Sequence, residues 1–173
     1  MRDIILFIAA SLDGFIARPD GSVDWLFTDG DYGYQAFYDS IDVVLMGRKT
    51  YEQTLEFGAY PFSDKKGYVF SRSPDVQAAE GVEVVAEDPA SLAWHLKSTP
   101  GKNIWLVGGL EIISIFIKAG LIDEYVISVH PVILGDGIPL FPTGIAAVQL
   151  DLVGVKFFDS GLVQLTYRTR PAA

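Results

Sequence analysis

The sequence predicts an α/β domain built on one mixed sheet with helices laid against it. Short apolar runs rich in Val, Ile and Phe alternate with amphipathic segments along the chain, the pattern of strands covered by helices. The last two apolar runs flank Asp159-Ser160-Gly161, a short Gly-containing connection that reads as a hairpin and makes the sheet mixed. The chain has 173 residues, half of them hydrophobic, enough for one well-buried core and too few for two. Residues 1–173 are therefore read as a single domain.

Taken in order, strands are expected at Ile4-Ala10, Val43-Met46, Tyr68-Phe70, Val82-Val85, Ile104-Val107 and Tyr125-Pro131, each a short apolar run. Leu150-Phe158 and Leu162-Arg168 form the two arms of the terminal hairpin. Helices fit the segments between them, at Tyr32-Asp39, Thr50-Leu55, Pro89-Lys97 and Leu110-Ala119. Asp88-Pro89 supplies an N-cap followed by proline at the first helical position, and Gly120 lies just past the last helix. Thr50 and Gln53 have capping-box spacing, which places a helix start at Thr50. The longest loop expected mid-chain is Phe57 to Lys66, with its Gly, Pro, Ser and Asp. No repeat or low-complexity tract interrupts this order.

Composition narrows the function. Thirteen Lys and Arg against 22 Asp and Glu give a net charge of -9, which repels phosphate backbones and anionic membranes at long range, so neither nucleic acid nor membrane is an expected partner. With no cysteine, disulfides, thiolate nucleophiles and Cys-based zinc sites are excluded. His95 and His130 are the only imidazoles, and neither has a partner at metal-ligand spacing, so no metal is expected. The apolar run Ile4 to Ala10 lacks the basic start and small-residue cleavage pattern of a signal peptide, and a soluble cytoplasmic protein is the expectation.

Three strand ends suggest a phosphate-rich ligand. In "VVLMGRKTYE" a buried strand runs into Gly47, the charges of Arg48 and Lys49, and a helix start at Thr50, where free N–H groups carry partial positive charge. "YVFSRS" puts Ser71 and Arg72 at the C-terminal end of another strand, where open α/β sheets bind ligands. In "IWLVGGLEIISIF" a strand meets Gly108-Gly109 and then an apolar helix, a setting in which pyrophosphate docks on backbone N–H groups, although it is not the G-x-G-x-x-G fingerprint. Each site alone also reads as an ordinary solvated strand end or tight packing. Two basic sites among three in an acidic protein favour one polyphosphate ligand.

These motifs carry a family resemblance. Behind an N-terminal "FIAASLDGFIA", the segments "VVLMGRKTYE", "YVFSRS", "IWLVGGLEI" and "LIDEYVISVHPVILGDGIPLF" resemble, in that order, the dihydrofolate reductase superfamily. The "SLDGFIA" opening and "LGDGIPLF" are more specifically similar to the reductase domain of the bifunctional riboflavin-biosynthesis deaminase/reductase. The resemblance implies a three-layer α/β/α fold ending in an antiparallel C-terminal hairpin, and NADPH as cofactor. It implies phosphate contacts at Gly47, Arg48, Lys49 and Thr50, a 2′-phosphate contact at Ser71 and Arg72, and a pyrophosphate contact at Gly108 and Gly109. Ala10, Ile16 and Ala17 fall where the nicotinamide is reached. Glu111 departs from the pattern: a carboxylate there does nothing for phosphate, so its side chain must point away or that contact is altered.

Reduction of a C=N bond needs a proton source as well as a hydride. Folate reductases place a helix-borne carboxylate there; by position Asp31 corresponds, with Asp29 beside it, while Asp29-Gly30-Asp31 also reads as a plain turn and N-cap. Trp25, Tyr34 and Tyr38 are candidates to line a flat heterocycle pocket, and equally candidates for core packing. Asp13-Gly14 resembles the turn entering a mobile loop over the nicotinamide. The expected activity is NADPH-dependent reduction of a small heterocycle, a pteridine or the ribosylaminopyrimidine of riboflavin biosynthesis. For the phosphorylated intermediate, Lys65 and Lys66 are the obvious spare basic pair. A non-catalytic nucleotide-binding protein that retains the fold is the alternative, and a flavin binder a third. The long apolar strands of the C-terminal third, together with the resemblance, imply a homodimer.

Overall fold

The computed structural model describes residues 1–172. Along the chain run β1 (Ile4–Ser11), β2 (Phe15–Ala17), α1 (Tyr34–Asp39), β3 (Ile41–Gly47), α2 (Arg48–Glu56), β4 (Lys66–Phe70) and β5 (Val82–Val85). They are followed by α3 (Pro89–Ser98), β6 (Asn103–Gly108), α4 (Leu110–Lys118), β7 (Glu124–His130), β8 (Ile138–Pro139), β9 (Leu150–Phe157) and β10 (Val163–Thr169). Eight strands make one sheet in the order β5-β4-β3-β6-β1-β7-β10-β9, and β2 pairs with β8 apart from it. The first six in that order are mutually parallel, while β10 is antiparallel to both neighbours. The sheet is mixed and ends in the expected antiparallel hairpin.

Burial on both faces explains why the parallel strands read as near-continuous apolar runs. Ile4, Leu6, Val43, Leu45, Ile104 and Leu106 point to one face, where Leu92 and Leu96 of α3 and Ile112, Ile113 and Phe116 of α4 close over them. Val44, Met46, Val69 and Trp105 point to the other, against Tyr51 of α2 and Tyr60 and Phe62 of the α2–β4 connection. Phe7, Tyr34 and Phe37 complete that second cluster. The result is the three-layer α/β/α arrangement. No helix of the described residues is long and apolar enough to cross a membrane.

Several boundaries differ from the sequence reading for identifiable reasons. α1 starts at Tyr34 rather than Tyr32, because Tyr32 (φ 51°) and Gly33 (φ 80°) are both left-handed and stand outside a right-handed helix. The capping box at Thr50 does not form: α2 begins at Arg48 directly off β3, with Gly47 as N-cap and no side-chain cap. Gln53 instead donates through Nε2 to the Gly21 carbonyl at 2.8 Å, tying α2 to the β2–α1 connection. β2 and β8, three and two residues long, are too short to carry a hydrophobic pattern. Where the local signal was stereochemically explicit it held, as at α3, whose Asp88 carboxylate accepts from Ser91 N at 2.9 Å.

The outer edge of the sheet is unlike its centre. β9 is a long edge strand whose apolar side chains stay in water: Leu152 is 55 % exposed and Phe157 81 %. Val155 and Leu152 share a face with Leu165 and Tyr167 of β10 through the pairings Leu165↔Val155 and Tyr167↔Leu152. Of β9 only Leu150, at its start, packs against the helix-covered core cluster.

Candidate functional site

The parallel alignment gathers the singled-out residues on one edge. β1, β3, β4 and β6 end there in Ala10-Ser11, Gly47, Phe70 and Gly108, and Ser71-Arg72 follow β4 directly. α2 and α4 leave this edge, their N-caps being Gly47 and Gly109. Neither cap carries a side-chain hydrogen bond, so the first-turn N–H groups of two nine-residue helices are offered to whatever lies there. The two turns touch. A Cβ on Gly47 would lie 3.2 Å from Ile112 Cγ1, and one on Gly109 3.3 Å from Thr50 Oγ1, so any side chain at either place pushes the turns apart. The Gly108–Gly109 peptide is cis.

The charges around this edge are unequal. Arg48 is held by Glu52, Nε to Oε1 at 2.8 Å, one turn along α2. Lys49 and Arg72 are exposed and enter no ion pair among the described residues. Ser71 is not a free donor: its hydroxyl donates to Ser73 O at 3.2 Å and accepts from Ser73 N at 3.1 Å, and its own N–H donates to Val85 O at 3.0 Å, so it shapes the turn that presents Arg72. Glu111, in the first turn of α4, is exposed.

Beside these turns, Ala10 and Ala17 are buried and Ile16 half-buried, set by a turn that is well anchored. Asp13 Oδ1 accepts from Ser11 Oγ at 2.6 Å and Leu134 N at 3.1 Å, and Oδ2 from Gly135 N at 2.8 Å. The Ser11 hydroxyl, chief among these donors, holds the Asp13 carboxyl below the usual carboxylate range. Pairing of β2 with β8 adds a second tie between the same segments.

The candidate substrate residues separate. Trp25 is buried, its ring edge-on to His130 with centroids 5.3 Å apart, and its Nε1 has no hydrogen-bond partner. Tyr34 packs on Phe7, Tyr38 and Trp105 as part of the core, and Tyr38 donates to Asp64 at 2.5 Å. Asp31 is exposed and accepts from Gln35 N at 3.0 Å through Oδ1, while Asp29 accepts from Tyr32 Oη at 2.6 Å. Asp24 is exposed and pairs with Arg18. The pair expected to be spare is not: Lys66 bonds Glu83 at 3.0 Å, and Lys65 lies 4.4 Å over the Tyr38 ring and 3.7 Å from Asp64. Among the described residues no three His, Asp or Glu gather in a metal-binding group.

The family model of the RibD C-terminal domain matches residues 2–164. The chain belongs to the RibD C-terminal domain family. It is 44 % identical over 170 residues to the uncharacterised protein YwjB of Bacillus subtilis, covering 96 % of this chain and 97 % of that one. A crystal structure from Shewanella, named for riboflavin biosynthesis, is 31 % identical and superposes with a TM-score of 0.84 over 99 % of this chain and all of its own. Dihydrofolate reductase from Enterococcus faecalis, solved with NADP(H), shares the fold at 17 % identity, with a TM-score of 0.71 over 98 % of this chain and 97 % of its own. The dihydrofolate-reductase-like fold and the riboflavin-type branch both stand.

One residue of this RibD-type domain carries a role that spacing did not reveal. His130, buried at the end of β7, has Nδ1 3.1 Å from Ser128 O, and its Nε2 accepts from Phe27 N at 3.2 Å. That pattern requires the neutral ring with its proton on Nδ1. Its partners are backbone groups, so no side-chain motif signals it. Burial pushes the His130 pKa below its ordinary 6.5. The unfolded chain then binds the proton first as pH falls, so the contribution is complete above about pH 6.5 and is lost below it. Urea denaturation between pH 7.5 and 5 is expected to show this loss, with a slope of at most about 1.4 kcal/mol per pH unit from this group. His130→Gln removes that component of the slope; an unchanged slope assigns it elsewhere.

Proposed function

We propose that this RibD-type domain is an NADPH-dependent reductase of a C=N bond in a small heterocycle. The observation that carries the reading is the meeting of two uncapped helix N-termini, at Gly47 and Gly109, beside the unpaired cations Lys49 and Arg72. That donor set fits a ligand with a pyrophosphate and a further phosphate. In this reading Gly47, Arg48, Lys49, Thr50, Gly108 and Gly109 hold the pyrophosphate region, and Arg72, presented by the Ser71 turn, meets the 2′-phosphate. Ala10, Ile16 and Ala17 bound the nicotinamide. NADPH, when bound, supplies the hydride.

Substrate reduction then asks two things of this chain. Trp25 has a buried indole N–H with no partner among the described residues, a donor for a ring acceptor of a flat substrate once the side chains over it move aside. Tyr34 acts behind it by holding α1 on the sheet. Asp31 is the proton-relay residue of this reading: one oxygen is engaged by Gln35 N, and the side chain is open to solvent. Between pteridine and ribosylaminopyrimidine, the engagement of Lys65 and Lys66 removes the basic pair that would have favoured the phosphorylated substrate.

The family relation and the bare edge strand β9 also support a homodimer. Leu152, Val155 and Phe157 give one apolar face that pairing with a second copy would bury. Sedimentation at micromolar concentration is expected to return twice the 18.9 kDa chain mass, and Phe157→Lys to shift it toward monomer. A monomer for the unmodified chain refutes the dimer.

Titration of nicotinamide fluorescence is expected to show NADPH bound at least about tenfold more tightly than NADH, since charge-assisted bonds contribute about 1.5–3 kcal/mol each. Arg72→Ala removes most of the preference. Equal affinities in the unmodified protein overturn the cofactor assignment.

Asp31→Asn separates catalysis from capping. With a substrate found by screening heterocycles for loss of nicotinamide absorbance, it is expected to leave NADPH affinity unchanged and slow reduction about a hundred- to ten-thousand-fold. Asparagine caps nearly as well as aspartate. An unchanged rate therefore confines Asp31 to its bond with Gln35.

A further inference from the structure

The far edge of the sheet, where β1 begins, holds a second concentration of polar groups. A cleft of about 330 Å³ opens there between the end of α3 and the start of β6, with Arg2, Lys97, Thr99, Gly101 and Asn103 in its wall. Arg2 is 7 % exposed and Lys97 5 %, so two cations are more than nine-tenths buried at one cleft. No carboxylate lines it, in a protein with 22 acidic residues and 13 basic ones.

The carboxylates that balance these cations are shared, and Asp42 Oδ2 stands close behind Gly101 of the cleft wall. Asp42 pairs with Arg2 and accepts from Lys102 N at 2.9 Å; Asp123 pairs with Lys97 and accepts from Ile4 N at 2.7 Å. Arg2 spends Nε on Lys102 O, one Nη1 proton on Thr99 Oγ1 and one Nη2 proton on Asp42, leaving two of the five N–H donors of a guanidinium. Lys97 gives one of three ammonium protons to Asp123. Asn103 accepts from Asp3 N through Oδ1, and its amide protons have no partner among the described residues. A purely structural buried pair is stable only when its remaining donors are satisfied. Here several remain, on residues that line one cleft where solvent or a ligand can meet them.

The end of α3 adds little negative charge to the cleft. The last carbonyls of α3, which would repel an anion, are already used: Ser98 Oγ donates to His95 O at 2.6 Å, Thr99 Oγ1 to Leu96 O at 2.7 Å, and Arg2 N to Lys97 O at 3.1 Å. Gly101 has φ 152°, and a Cβ there would lie 2.8 Å from Arg2 Cζ and 2.7 Å from Asp42 Oδ2. Only glycine lets the backbone lie against the guanidinium and leave it in place. β1 separates this cleft from the cofactor edge by eight residues, about 25 Å at the rise of a strand.

We propose that this cleft is a second ligand site, taking a phosphate-type oxyanion either free or as a phosphate monoester. Its argument is independent of the reductase reading.

Amide spectra of the unmodified protein, titrated with inorganic phosphate or a pentose monophosphate against chloride at matched ionic strength, test it. Saturable shifts at Arg2 and residues 97–103 are expected. Tighter binding of the monoester assigns the cleft to a phosphorylated metabolite, and equal binding to free phosphate. Absence of saturable shifts there, or shifts only at residues 47–50, 71–72 and 108–110, overturns the proposal. The double variant Lys97→Met/Asp123→Asn removes the cation without stranding its partner, and is expected to weaken phosphate at least tenfold while Arg72→Ala leaves it unchanged. Unchanged affinity in a folded double variant also overturns it.

Discussion

Parallel strand alignment is the constraint on which the rest of this molecule depends. Because β1, β3, β4 and β6 run the same way, their C-terminal turns fall on one edge, and α2 and α4 must leave from it with their N-termini turned toward the same space. A helix start is a weak anion site by itself. Two starts in contact, with Gly47 against Ile112 and Gly109 against Thr50, form a single donor surface that no side-chain cap has used up. The same alignment fixes what the opposite edge can be. There the strands begin, α3 ends, and charge is supplied by side chains rather than by helix starts.

Two-sided burial makes that alignment stable and decides where specificity has room to arise. The central strands have no free face, since α3 and α4 close one side and the aromatic cluster around Trp105 the other. Tyr34 and Phe37 belong to that cluster, so α1 is committed to packing and its variable chemistry is confined to the approach through Asp29, Asp31 and Tyr32. The left-handed Tyr32 backbone, whose carbonyl accepts from Gln164 Nε2 at 3.2 Å, is held from β10. The approach through Tyr32 is thereby coupled to the antiparallel end of the sheet, where Gln164 also donates to Ser128 Oγ at 3.1 Å. Ala9, Ser128, Gln164 and Lys156 lie in one register across β1, β7, β10 and β9. Residues on β9 and β10 thus bear on the proposed heterocycle side of the site as well as on the proposed dimer.

Much of this was legible in the sequence because it rests on local stereochemistry. The eight strands of the main sheet, four helices, the Asp88-Pro89 start and the Asp159–Gly161 turn all have short-range causes, and the Gly47, Arg72 and Gly108-Gly109 turns could be placed on one edge once the strands were taken as parallel. What could not be read depends on groups distant in sequence. Gln53 had the spacing to cap its own helix but satisfies Gly21 instead. His130 is fixed by the Phe27 and Ser128 backbones. Lys65 and Lys66 looked free because Glu83 and the Tyr38 ring reach them only through the fold. The pairing of Arg2 with Asp42 and of Lys97 with Asp123 had no sequence signature at all.

Charge economy gives these placements their meaning. Of 13 basic residues, Arg2, Arg18, Arg48, Lys65, Lys66, Lys97, Arg168 and Arg170 are in ion pairs, and Lys102 donates to the Asp39 carbonyl. With a net charge of -9, the far field opposes the approach of any polyanion. Attraction must therefore be short-ranged, within the Debye length of about 8 Å at physiological salt, and supplied by donors already oriented in the fold. Salt then acts in two opposed ways, weakening the long-range repulsion while screening exposed Lys49 and Arg72. Helix N–H groups and the buried guanidinium of Arg2 are screened far less, because solvent ions would not reach between them and a ligand seated on them. For an anion to bind an acidic protein in this manner, geometry must select it, since the overall charge opposes every polyanion alike.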